Sequence, residues 1–177
     1  MRICVYCGSS DGHDPSILEM ASDFGRQIAQ QNIGLVYGGS SLGVMGTLAN
    51  AVMESGGDVT GVIPKNLFSK EVAHTDITKL ITVADMHERK YTMADLADAF
   101  VALPGGFGTM EELFEIITWN QIGIIEKPVK VLSWNGFYTP LLDMIHHAAD
   151  AGFIRRKNIE ILQTAETVDE CIRKSIV

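Results

Sequence analysis

Short apolar runs rich in β-branched residues alternate along this chain with longer stretches of helical periodicity, and that alternation restricts the fold more than any other feature. The strand-like runs fall at 2–6, 35–37, 59–63, 80–83, 99–103, 129–132 and 159–163. Helical patterns fill the gaps. One opens at Asp14-Pro15, a capping residue followed by proline at the first helical position, and Gly34 closes it after Asn32-Ile33. Others cover 43–55, ending at Gly56-Gly57, then 86–98, 110–122, 137–151 and 168–176. Strands separated by helices imply right-handed crossovers, hence a mostly parallel sheet. The unbroken apolar run Phe100-Val101-Ala102-Leu103 fits a strand buried on both faces. The expected fold is α/β: a doubly wound, mostly parallel sheet with helices on both faces, built from residues 1–177 as a single domain.

Composition narrows the class of ligand. Apolar residues make up 46% and charged residues 20%, as in a globular protein. A net charge of -8 without any basic tract argues against duplex nucleic acid, which binds by displacing phosphate counterions. A small anion remains compatible, because local backbone dipoles and one or two arginines outweigh a distant negative surface. No stretch approaches the roughly 18 apolar residues of a membrane helix, and no leader pattern precedes the first strand, so the expectation is a soluble, cytoplasmic protein with no membrane partner.

Cys4 and Cys7 form a C-x-x-C, a spacing that raises redox chemistry. On a strand, however, positions three apart point to opposite faces, with Cα atoms about 10 Å apart, beyond disulfide reach. The cysteines, Cys171 included, therefore read as small buried apolar residues. No Cys/His spacing resembles a zinc site, and His146-His147 face different ways on a helix.

Ligands of open α/β sheets bind at the carboxyl ends of strands, so strand-to-helix turns are where chemistry should lie. Two are glycine-rich. Residues 38–46, Gly-Gly-Ser-Ser-Leu-Gly-Val-Met-Gly, lack the Gly-Lys-Ser/Thr of a P-loop and the spacing of a dinucleotide fingerprint. The glycines serve either a ligand or simply a tight turn and close helix packing. Residues 104–112, Pro-Gly-Gly-Phe-Gly-Thr-Met-Glu-Glu, follow the buried strand. Three glycines there let backbone N–H groups converge on an anion at a helix N-terminus, where the dipole adds about half a positive charge. The competing reading takes Thr109 and Glu112 as a capping box, which any helix can use. Between the turns lies Met86-His87-Glu88-Arg89-Lys90, with two cations opposing the macrodipole of their own helix. Their placement implies either a compensating anion or a solvated charged face.

These three segments, in this order and spacing, resemble the LONELY GUY (LOG) family of cytokinin riboside 5′-monophosphate phosphoribohydrolases, long described as lysine decarboxylases. The resemblance runs from Cys7-Gly8-Ser9-Ser10 to about Trp134. It implies a Rossmann-like nucleotide-binding domain, a homodimer, no metal and no cofactor. It places the catalytic arginine and glutamate on Arg89 and Glu112. Gly105, Gly106, Gly108 and Thr109 would hold the substrate phosphate with Gly39 and Ser40, and Met86 and Lys90 would also bind substrate. The implied reaction releases a free base and ribose 5-phosphate from a cytokinin or adenosine nucleoside monophosphate. Glu88 stands where many members carry glutamine and Ser40 where many carry glycine, which bears on base preference.

Two rival functions are open to the sequence. A molybdenum-cofactor carrier on the same fold would need the anion-binding turns but not the Arg89–Glu112 pair. A pyridoxal phosphate decarboxylase needs a Schiff-base lysine, and none of Lys65, Lys70, Lys79, Lys90, Lys127 and Lys130 is expected in a buried-strand or glycine-turn setting.

Overall fold

A computed structural model describes residues 1–67 and 73–173. Among the described residues seven strands form one wholly parallel sheet: β1 (Arg2–Tyr6), β2 (Gly34–Tyr37), β3 (Val59–Pro64), β4 (Lys79–Val83), β5 (Ala99–Ala102), β6 (Val129–Leu132) and β7 (Leu162–Ala165). Their order is β4-β3-β2-β1-β5-β6-β7. The chain thus winds outward from β1 in one direction, returns to lay β5 against β1 with Ile3 opposite Ala99, and winds outward in the other. The helices are α1 (Ser16–Gln30), α2 (Gly43–Glu54), α3 (Met86–Leu96), α4 (Phe107–Gln121), α5 (Thr139–Asp150), α6 (Arg156–Ile159) and α7 (Val168–Arg173).

The pleat of β1 divides the core. Ile3, Val5 and Cys7 join Leu35, Tyr37, Val101 and Leu103 under α1, α2 and α7. Cys4 and Tyr6 join Val36, Phe100, Ala102 and Val131 under α3, α4 and Tyr138. Cys4 and Cys7 accordingly lie on opposite faces, and both are free and buried, as is Cys171. Fully burying each such Ile, Val, Leu or Phe side chain contributes about 1.5–3 kcal/mol.

The structure corrects several boundaries. Asp14 does cap α1, its carboxylate accepting from the Ser16 amide at 2.9 Å. Gly34 does not close that helix: it is the first residue of β2, and Asn32 makes the left-handed exit at φ 57°. Asparagine tolerates that conformation because its short polar side chain bonds locally. The last strand starts at Leu162 rather than 159, because Arg156–Ile159 winds a single helical turn first. α5 starts at Thr139, behind a 3-10 turn at Trp134–Gly136. Residues 174–176 of the expected last helix lie outside the described residues. Lys130 is the sharpest correction. It sits on β6, fully buried, with its ammonium donating to the Cys171 carbonyl at 3.3 Å.

Candidate functional site

The reversal of winding direction falls between β1 and β5, and there the loops leaving the two strands part and leave a crevice. They are tied at its base, where the Gly8 amide donates to the Pro104 carbonyl at 3.2 Å. A third segment joins through the Met45 amide, which donates to the Gly8 carbonyl at 3.1 Å. Above these ties lies a cavity of about 480 Å³, walled by residues 8–12, Met45, Met86, Arg89, residues 104–109, Glu111, Glu112 and Phe137, among others.

One wall is the start of α4. The helix begins at Phe107, with Gly106 as its extended N-cap and no side chain capping it. Its first-turn N–H groups lack intrahelical acceptors by construction, and the residues that carry them, Phe107, Gly108 and Thr109, line the cavity. A Cβ at Gly106 or Gly108 would meet no protein atom within 4 Å, so ligand has room to approach the backbone. Gly105 is different: a Cβ there would stand 2.1 Å from Thr109 Oγ1 and 2.8 Å from the Gly8 amide nitrogen. The same start disposes of the capping box. Thr109 is the third residue of the helix and Glu112 the sixth, and both are buried, at 3% and 6% exposure.

The opposite wall comes from α3. Asp85 caps it, accepting from the His87 and Glu88 amides at 2.9 Å, and Glu88 reciprocates by accepting from the Ala84 amide at 2.6 Å. This reciprocal cap belongs to Asp85 and Glu88, so Glu88 has a helix-starting role of its own. Arg89 follows, 4% exposed. Its Nε donates to the Val62 carbonyl at 3.1 Å and its Nη2 to the Gly38 carbonyl at 3.0 Å, while Nη1 approaches Met86 Sδ at 3.6 Å. The guanidinium is therefore clamped to β3 and to the residue that follows β2. A Cβ on Gly38 would sit 2.1 Å from Nη2, so the glycine is what lets the arginine lie there.

Lys90 is also buried, but its ammonium turns to α4, donating to Glu111 at 2.5 Å and Glu115 at 3.0 Å. Burial works to lower its pKa, yet the two carboxylates offset this and hold it above the usual lysine value. Neither cation is on a solvated face, and the anion balancing Lys90 comes from the protein.

Arg89 and Glu112 converge on the end of β1. Burial pushes the Cys7 thiol far above its ordinary pKa, the Glu112 charge raises it further and the Arg89 charge opposes both. Cys4 feels the same two charges. Such a thiol is inert. The cavity thus joins a buried carboxylate, a buried guanidinium and an uncapped helix N-terminus, a set able to hold an anion and to stabilise positive charge developing nearby.

Of the residues expected at the site, Met86, Arg89, Gly105, Gly106, Gly108, Thr109 and Glu112 line the cavity, whereas Gly39, Ser40 and Lys90 do not. Gly39, at φ 79°, packs on Ile63 and Leu80. Ser40 is fully buried, its hydroxyl accepting from the Leu42 amide at 3.2 Å. That first turn supplies instead the Gly38 carbonyl for Arg89, and Val44 and Met45 for the wall. Residues 8–12 and Phe137 also line the cavity, although no motif in the sequence marks them as site residues. A glycine–serine loop directly after the first strand was the available signal, but only strand order puts it beside the loop after β5. Among the described residues no group of three or more His, Cys, Asp and Glu could hold a metal ion, and no helix is long and apolar enough to cross a membrane.

Comparison with known proteins bears on this arrangement. Residues 45–175 match the family described as "Possible lysine decarboxylase". The chain is 47% identical over 173 residues to cytokinin riboside 5′-monophosphate phosphoribohydrolase LOG3 of Arabidopsis thaliana, covering 98% of this chain and 80% of that one. It is 47% identical to the corresponding enzyme LOG of Oryza sativa subsp. japonica, covering 98% and 72%. Among solved structures, a Moco carrier protein from Chlamydomonas reinhardtii superposes with a TM-score of 0.73 at 25% identity, over 98% of this chain and 93% of that one. A molybdenum cofactor binding protein from the phototrophic bacterium Rippkaea orientalis shares the fold, with a TM-score of 0.70 at 23% identity over 99% and 96%.

Proposed function

This chain belongs to the LOG family of phosphoribohydrolases, the family also described as possible lysine decarboxylases, and we propose that it hydrolyses the N-glycosidic bond of a cytokinin or adenosine nucleoside 5′-monophosphate, releasing the free base and ribose 5-phosphate. The observation that carries this reading is the burial of Arg89 and Glu112 on one cavity whose wall is an uncapped helix N-terminus. The phosphate would sit on the amides of residues 106–109, with Gly105 keeping Thr109 and the Gly8 loop close. Glu112 would face C1′ of the ribose. As the bond to the base breaks, the sugar gains oxocarbenium character, which a nearby carboxylate stabilises while it orients or deprotonates water. Arg89, clamped by two carbonyls, presents the remaining edge of its planar fork to the ligand.

A carrier would need the anion-binding turns but not the Arg89–Glu112 pair. Placing two ionisable side chains more than nine-tenths buried on the cavity is costly for mere binding, and it is the feature that favours turnover. The decarboxylase reading needs a lysine at the cavity. None of the described lysines lines it, Lys130 being buried against α7 and Lys90 held by two glutamates.

The reading predicts strong dependence on the phosphate. Adenosine monophosphate and adenosine, compared by release of free adenine, should differ in kcat/KM by on the order of a hundredfold or more, because remote phosphate binding supplies the energy that orients the ribose. Equal turnover of the two would remove the phosphate anchor from the scheme.

The reading also makes the chain one nucleotide-binding domain that acts as a cytoplasmic homodimer, with α4 near the interface. Ile122 and Ile124, just past the end of that helix, are 60% and 59% exposed, and Phe114 within it is 37% exposed, while Trp119 is partly buried. Light scattering across micromolar concentrations should report twice the 19.3 kDa chain mass. A constant monomer would rule the dimer out.

A further inference from the structure

Three glutamates, Glu111, Glu112 and Glu115, occupy little more than one turn of α4, beside the amides proposed to hold a phosphate. Like charges at that spacing oppose one another, and a carboxylate on the cavity wall opposes an anionic ligand. Glu111 is such a carboxylate: it lines the cavity, with its side chain 54% exposed. Among the described residues the outer two glutamates share one counter-ion. Lys90 reaches across from α3, donating to Glu111 Oε1 at 2.5 Å and Glu115 Oε1 at 3.0 Å, its own side chain only 10% exposed. It does not line the cavity.

We infer that Lys90 is a positioning residue that serves the reaction through Glu111 and Glu115, offsetting part of their charge beside Glu112 and the phosphate site, and not by touching substrate. The inference rests on the proposed hydrolase reading. Its physical basis is an asymmetry of partly buried ion clusters. Deleting the one cation leaves two carboxylates uncompensated, whereas deleting all three charges leaves nothing to compensate. A lysine that grips the phosphate behaves otherwise, because removing its neighbouring carboxylates cannot restore the lost contact.

Four proteins decide between these: wild type, Lys90→Met, Glu111→Gln with Glu115→Gln, and the triple variant. Each is measured for kcat/KM on adenosine monophosphate and, by calorimetry, for the Kd of ribose 5-phosphate. Lys90→Met should weaken both on the order of tenfold or more, from uncompensated negative charge near the site. The triple variant should return both to within about threefold of the Glu111→Gln, Glu115→Gln protein, since the lysine then has no charge left to cancel. A triple variant as weak as Lys90→Met would overturn the inference in favour of direct contact, and so would a Lys90→Met protein at wild-type levels. Should Lys90→Met fail to fold, the triple variant against its double parent separates the two roles equally well. If the wild type binds ribose 5-phosphate but releases no base, the hydrolase reading fails, and the binding measurements alone judge Lys90.

Discussion

Replacing Glu112 by glutamine is expected to lower turnover of the nucleoside monophosphate on the order of a hundredfold or more, the scale of a lost acid–base group, while the melting temperature stays nearly unchanged. The substitution keeps shape and removes charge. Were Thr109 and Glu112 a capping box, glutamine would serve equally well and little would be learned. The structure removes that ambiguity by starting α4 at Phe107, so position 112 lies a full turn inside the helix. What glutamine loses is a negative charge on a side chain only 6% exposed, proposed to face a sugar that becomes cationic as the base departs. Turnover near that of wild type, measured beside thermal melting, would return Glu112 to a packing role and remove the central element of the proposed mechanism.

The second large effect comes from a residue that touches no ligand. Gly38→Ala should reduce kcat on the order of a hundredfold, as small misplacements of reacting groups do. The added methyl would stand 2.1 Å from Arg89 Nη2 and 3.1 Å from Met45 Sδ, both on the cavity wall. Gly38 has no positive φ, so alanine suits the backbone and the conflict is purely one of space. The guanidinium must leave the Gly38 carbonyl, and its anchorage to Val62 goes with it. Overpacking of this kind costs about 1–3 kcal/mol of stability, so circular dichroism and melting should still report a folded protein. Unaltered kcat in a folded Gly38→Ala variant would mean that Arg89's clamped geometry does not matter to the reaction.

How much of this was legible beforehand depended on whether the information was local. Strand positions were, because an apolar run bounded by helical periodicity looks the same wherever it ends up, and β1 and β6 fall where the sequence places them. The second glycine turn was legible too, with its glycines in excess of any plain cap. Its helix start was not. Thr-x-x-Glu is a strong local signal, and only the backbone conformation of Gly106 shows that the helix begins three residues earlier. Lys130 shows the other limit: a charged residue in an apolar strand gives no hint that a distant carbonyl, that of Cys171, will receive it. Gly39 and Ser40 carry the appearance of a ligand turn, yet their turn serves to steady Arg89, a relation between residues 38 and 89 that no window of sequence contains.

The laying of β5 against β1 also governs when a binding site can exist at all. Partners such as Ile3 and Ala99 are separated by nearly the full run of the first four strands, and pairing of so long a range is slow because loop closure must precede any contact that rewards it. The chain's first four strands and the helices between them can in principle associate through nearer neighbours. The cavity cannot form with them, since one wall follows β5 and another follows β1. Ligand therefore meets no partly folded species lacking β5 that could hold it by both walls, and during synthesis the nascent chain stays blind to its substrate until α4 has emerged.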